Sequence, residues 1–265
     1  LLLGQIVTGI EHLAAYVLSA NEAPAGDLRA ARALFQRVLA LASRTSDYDL
    51  SLDDGAPVHL TSRYPGPAHL ASLLLSVTEG IADAPLTRLP PPDGADPDFW
   101  SRWLTFRAKS TPFVWRNHRQ AIAKDFYQTG KSAVLVLPTG AGKTTVSVLK
   151  IAGVLARGKK VVFLAPTHAL VDQLTEDLQA LFPPDEFALE VSGDFDSLLV
   201  EGNQLQDIEV MTPEGCLAML SFAPEAFANV GLLVFDECHL LSPSRRIGRA
   251  LDSMLCLLAF QAAAP

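Results

Sequence analysis

Apolar positions follow two rhythms along this chain. Over Ile10–Ala20, Leu28–Ala42 and Ala68–Val77 they recur every three to four residues, the spacing of one helix face, with Asp27 placed to cap the second helix. From about residue 130 onward, short unbroken apolar runs at 132–137, 160–165, 187–191, 208–211 and 231–235 alternate with helical stretches at 143–157, 169–181 and 214–221. An apolar run without alternation predicts a strand covered on both sides, and strand–helix alternation predicts an α/β fold, a parallel sheet with helices on both faces. Between the two regimes, Pro85–Pro97 holds five prolines among polar turn residues and reads as a linker. The expected organisation is a mainly helical accessory region at 1–84, a Pro-rich linker at 85–98 and an α/β domain at 99–265. Phe99, Trp100, Trp103, Phe106, Phe113 and Trp115 are expected to pack the start of that domain onto its sheet; a base-stacking platform is disfavoured because few basic residues lie among them.

The chain has 265 residues, 49% of them hydrophobic, which is ample material for a core. The net charge is −8, divided as −6 over residues 1–98 and −2 over 99–265, so no basic field draws the chain to nucleic acid and such binding would rest on local loops. Cys216, Cys238 and Cys256 suggest a reducing compartment, and a cytoplasmic location is expected. Leu1–Ala20 is interrupted by Gln5, Glu11 and His12 and lacks a basic start, so it reads as an amphipathic helix and no membrane association is expected.

Candidate chemistry is concentrated at two strand ends. Leu135-Val136-Leu137-Pro138-Thr139-Gly140-Ala141-Gly142-Lys143-Thr144-Thr145 has the order strand, glycine-rich turn, helix start. Leu137 stands where the G-x-x-x-x-G-K-[ST] pattern has its first glycine. Gly140 and Gly142 would let backbone N–H groups approach phosphate oxygens, Lys143 would reach the β- and γ-phosphates of ATP, and Thr144 would coordinate Mg. Val230–Phe235 reads as a buried strand that delivers Asp236 and Glu237 at its carboxyl end, where ligands of open α/β sheets bind. Asp236 would hold the Mg, and Glu237 would orient and deprotonate the attacking water. A cysteine nucleophile at Cys238 with His239 as base is rejected, because sequence neighbours tend to point to opposite sides and no oxyanion-hole segment presents itself.

Asp236-Glu237-Cys238-His239 resembles the DExH box of superfamily 2 helicases, and apolar-Pro-Thr-Gly-x-Gly-Lys-Thr resembles their first motif. Ala165–Leu174 is similar to motif Ia, and Val210-Met211-Thr212-Pro213-Glu214 to motif Ib, with Thr-Pro-Glu favouring the Ski-type and RecQ-type branches. His239-Leu240-Leu241 and Arg246–Asp252 are similar to a Ski-type stretch, with Ile247 inserted before the glycine and Asp252 in place of glutamate. Gln120 falls where the family reads adenine; Asn117 and His118 stand where Arg and Pro are usual, and an exposed helix residue is the alternative for Gln120.

The resemblance implies a RecA-like fold of the P-loop NTPase kind, the first of two such lobes, with the second lobe of the same full-length protein lying beyond this chain. It implies ATP contacts from Gln120 and Pro138–Thr145, and a role for His239 in coupling the nucleotide site to neighbouring motifs. It also implies nucleic-acid contacts from Pro166, Thr167, His168, Thr212, Pro213 and Glu214, through hydroxyls, an imidazole and backbone N–H groups suited to phosphate. Thr212 before Pro213 is equally a good helix N-cap. The implied activity is an ATP-dependent helicase, with DNA slightly favoured over RNA. The alternatives are a translocase or remodeller that never separates strands, and a nucleotide-dependent interaction module whose helical region binds a protein. The alanine- and leucine-rich composition and the large N-terminal region suggest a part in DNA repair or phage defence.

Overall fold

The computed structural model describes residues 1–20, 24–43, 64–138, 142–194, 204–236 and 247–263. The chain divides into two compact units, one of Leu1–Pro90 with Leu104–Trp115, the other of Pro91–Trp103 with Arg116–Pro265.

In the first unit, the helices Leu2–Leu18, Pro24–Ala42 and Pro65–Gly80 follow the predicted periodicity. Their apolar faces meet around Tyr16, Val17, Ala31 and Phe35, with Ile6, Val38 and Ala71 in a second cluster. Gly9 lets two helices approach, since a Cβ there would lie 2.4 Å from the Phe35 ring. Asp27 is not the cap of the second helix, which starts at Pro24 because proline's fixed φ suits a first turn. Its carboxylate instead accepts a hydrogen bond from His12 Nδ1 at 2.8 Å.

The proline-rich stretch is hydrogen-bonded along its length. Thr87 donates its hydroxyl to Val17 O at 2.9 Å, and Arg88 donates to the carbonyls of Tyr16 and Ser19 at 2.8 and 2.9 Å. Leu86 N–H donates to Pro112 O and Val114 N–H to Ala84 O, binding this stretch to the first unit. Within the second unit, Asp96 N–H donates to Ala156 O at 2.7 Å, and Pro92 packs on Gly153. Prolines lack donors, but the residues between them supply enough to fasten the chain.

The second unit contains a parallel sheet of β1 (Lys160–Leu164), β2 (Val191–Ser192), β3 (Ile208–Met211) and β4 (Val230–Phe235). Its order is β2-β3-β1-β4, with Leu164 opposite both Met211 and Phe235. On one face, Val162, Leu164 and Met211 join Cys216, Met219, Phe227 and Cys256 in a core roofed by the helices Pro213–Phe222 and Ile247–Ala263. The helices Lys143–Leu155 and His168–Leu181 contribute nothing to that cluster and pack on β1, β3 and β4, covering the other face. Burial of Val161, Val162, Phe163 and Leu164 alike accounts for the unbroken apolar run of β1. Cys216 and Cys256 are buried free thiols.

Three expectations need correction. Residues 132–137 do not form a strand: no described strand pairs with them, and Val134 and Val136 are 80% and 85% exposed. An apolar run without a ladder partner leaves its backbone to water and has no reason to stay extended. The run at 187–191 contributes only Val191 to β2, because Pro184–Phe187 winds into one helical turn ended by Ala188 at φ 52°. Among the aromatics, Trp100 stacks on Tyr127, Trp103 on Phe182, and Phe99 meets Phe187, all within the second unit. Phe106, Phe113 and Trp115 fall in the first unit and not in the α/β unit where the group was expected, with Trp115 71% exposed.

Candidate functional site

Parallel strands place all their carboxyl ends at one edge, and three of the predicted segments leave the sheet there. Pro166–His168 follow β1, Thr212–Glu214 follow β3, and Asp236 follows β4, while the pairing of Leu164 with Met211 and Phe235 sets these departures side by side. A tight turn through Gly158, at φ 66°, reverses the chain between the helix Lys143–Leu155 and β1. That helix therefore runs antiparallel to the strands it covers and starts at the same edge.

Each segment is shaped locally. Thr167 caps the helix His168–Leu181, accepting from Leu170 N–H at 3.4 Å, and Thr212 caps Pro213–Phe222, accepting from Gly215 N–H at 3.1 Å. Both are N-caps; a capping hydroxyl uses a lone pair and keeps its proton to donate elsewhere. Thr167, His168 and Glu214 are exposed, Pro166 and Thr212 half-buried and Pro213 buried. Asp236 lies exposed just beyond β4.

Gly142 adopts φ 77° and ψ 40°, the left-handed conformation that glycine enters without strain, and forms the N-cap of the helix Lys143–Leu155. Lys143 and Thr144 are exposed and Thr145 half-buried, at a helix start whose N–H groups and dipole favour an anion. A bare glycine at the turn, an exposed ammonium and hydroxyl after it, and a carboxylate at the same sheet edge are a donor set that fits a nucleotide triphosphate and Mg. Bound there, these would supply the phosphoryl group and the charge that stabilises its transfer.

Gln120 is exposed on the helix Arg116–Ile122, and Pro138 is exposed ahead of the loop. Thr139, Gly140, Ala141, Glu237, Cys238 and His239 lie outside the described residues.

Two buried residues of this unit make contacts that the pattern did not announce. His118, 4% exposed, faces Gly142 so closely that a Cβ there would lie 2.5 Å from its Nε2. Its only signal in the sequence is that a histidine stands where proline is usual. Lys150 is the second, a buried lysine in an otherwise apolar helix interior.

The sequence pattern of the DEAD/DEAH box helicase matches residues 116–263, which covers the phosphate loop, both capped segments and the β4 edge. This chain belongs to the DEAD/DEAH box helicase family. Among its relatives, a probable helicase, HelY of Mycobacterium tuberculosis (strain ATCC 25618 / H37Rv), is 34% identical over 45% of this chain and 12% of its own length. The ATP-dependent DNA helicase Hel308 of Thermococcus kodakarensis is 32% identical over 48% of this chain and 11% of its own. The chain thus spans only a small part of the curated relatives it matches. The solved structure of the DUF1998 helicase MrfA bound to DNA and AMPPNP overlays with a TM-score of 0.47 and 20% identity, covering 64% of this chain and 25% of that one. No helix among the described residues is long and apolar enough to cross a membrane.

Proposed function

We propose that this chain is the first RecA-like, ATP-binding lobe of a helicase that acts on nucleic acid, with DNA favoured. The observation that carries the reading is the convergence of the helix start at Lys143 with Pro166–His168, Thr212–Glu214 and Asp236 at one sheet edge, in a chain of the DEAD/DEAH box family.

In this reading Gly140, Gly142 and their neighbours from Pro138 to Thr145 wrap the phosphates, and Lys143 neutralises charge on the β- and γ-phosphates. Thr144 and Asp236 hold Mg, and Glu237 positions the attacking water and takes its proton. Gln120 reads the adenine edge, and His239 links the nucleotide site to the neighbouring motifs. Thr167, His168 and Thr212 meet the sugar-phosphate backbone, together with Pro166, Pro213, Glu214 and the helix starts they flank. The naming of DNA in the relative Hel308 supports the substrate preference. A second RecA-like lobe of the full-length protein would supply the arginine that stabilises the transferring phosphoryl group.

A strand-displacement assay with the full-length protein tests the reading. ATP-dependent separation of a tailed duplex is expected. Nucleic-acid-stimulated ATP hydrolysis without separation would instead make the protein a translocase or remodeller, and hydrolysis indifferent to nucleic acid would remove the substrate from the account.

A further inference from the structure

Val148, Leu149, Ile151 and Ala152 are buried in the helix Lys143–Leu155, and among them lies Lys150, only 7% exposed. Its ammonium donates to three backbone carbonyls, Phe126 O at 3.0 Å, Gln128 O at 2.9 Å and Lys131 O at 2.8 Å, and lies 5.5 Å from the centre of the Phe126 ring. Three bonds exhaust the donors of an ammonium, so the buried charge is fully solvated by protein. Burial, and then the charge of Lys131, lower its pKa from the usual lysine value.

The three carbonyls belong to one turn, bent through Asp125 at φ 58° and Gly130 at φ 76°. Carbonyl dipoles converging in one place repel unless a cation lies between them, and Lys150 is that cation. The turn connects the helix Arg116–Ile122, which carries Gln120, to residues 132–138, which lead into the phosphate loop. The loop is left through Gly142 and Lys143, on the same helix as Lys150. One side chain therefore ties the chain that enters the loop to the helix that leaves it.

We propose that Lys150 is a positioning residue for the nucleotide, a built-in cation that fixes the entrance of the phosphate loop relative to its exit. The proposal rests on the reading of this loop as an ATP site. Residues 132–138 pair with no strand among the described residues, so without the tether a ligand must fix the entrance of the loop itself, and its affinity bears that cost.

The test uses the full-length protein with Lys150→Met, which keeps the stem and removes the charge, and Lys150→Arg, which keeps the charge. Hydrogen exchange of the 126–138 amides without nucleotide, Mg-ATP binding, and the split between KM and kcat are measured. Lys150→Met should speed exchange across 126–138 and raise Kd and KM for ATP by about tenfold, the loss of roughly one charge-assisted hydrogen bond, with kcat at saturating ATP nearly unchanged. Lys150→Arg should recover part of both effects. A folded Lys150→Met with wild-type exchange and Kd overturns the proposal. Should that variant fail to fold, Lys150→Gln, which retains two donors, is expected to raise Kd by a smaller factor, and a wild-type Kd there overturns it equally. Lys143→Ala run in parallel separates the two ideas: wild-type Mg-ATP binding by that variant sinks the ATP reading itself, whatever Lys150 does.

Discussion

The imidazole of His118 stands against the backbone of Gly142, leaving a space in which a single added carbon would lie 2.5 Å from Nε2 and 2.8 Å from Cε1. Two independent constraints thus hold this position to glycine, the ring and the left-handed φ of 77°. Gly142→Ala should lose on the order of 1–3 kcal/mol of stability to backbone strain and contact together, and weaken Mg-ATP binding. His118→Ala removes the ring that an added Cβ would meet, so the double variant should be more stable than the sum of the two single losses implies, by roughly 0.5 kcal/mol or more. Chemical denaturation of the four proteins measures this; strict additivity would mean that ring and glycine do not constrain each other.

The two acidic residues after β4 should separate by role. Glu237→Gln is expected to bind Mg-ATP normally yet turn over at least about a hundredfold more slowly, the low end for loss of a general base. Asp236→Asn should lose the Mg dependence of binding as well. Titration of labelled ATP with and without Mg distinguishes them, and equal binding defects in the two variants contradict the division.

Much of this architecture was legible in the chain because the apolar runs at 160–165 and 208–211 are buried almost throughout, where composition and burial coincide, while the run at 231–235 is only half-buried but pairs along β1. The run at 132–137 has the same composition but no partner strand among the described residues, and pairing is a property of two segments that neither declares alone. Thr212 was readable as a cap from the Pro213 that follows it, whereas the cap made by Thr167 emerges only in the folded chain. His118 and Lys150 were not readable either, since what makes each of them matter is a contact with residues 19–24 positions away that only the folded chain brings close.

Glu209, in the middle strand β3, is buried, with Oε2 accepting from Gln206 N–H at 3.0 Å. Burial pushes its carboxyl from 4.5 up to about 7, against the opposing pull of the Gln206 amide, the Ser192 hydroxyl and Lys160. The folded chain therefore holds this proton more tightly than the unfolded one. Stability should fall as pH rises from about 4.5 to about 7 and remain at the lower level above that. Glu209→Gln mimics the protonated form, and its thermal midpoint should exceed that of wild type near pH 8 by the equivalent of a few kcal/mol, the gap closing near pH 4. A gap independent of pH would show that the carboxyl does not titrate in this window.

Thr212 has two proposed duties that substitution can part. Thr212→Ala loses the cap on Gly215 N–H and should cost roughly 1 kcal/mol of stability. Thr212→Asp keeps a capping oxygen but sets a negative charge beside a phosphate, so stability should hold while nucleic-acid affinity falls by a similar factor for every sequence. Fluorescence anisotropy with two unrelated single strands reads this out; unchanged affinity in Thr212→Asp removes this residue from the interface.

In the proposed function the helix start at Lys143 holds the phosphates of an ATP whose hydrolysis serves nucleic acid. Steady-state ATP hydrolysis by the full-length protein, with and without single-stranded DNA, compared between wild type and Lys143→Ala, tests it most directly. DNA-stimulated turnover is expected in the wild type, and its loss by several orders of magnitude in Lys143→Ala, since among the described residues Lys150 is spent on three carbonyls and Lys159 is bonded to Asn229. Turnover by Lys143→Ala at the wild-type rate would place the nucleotide elsewhere and contradict the account.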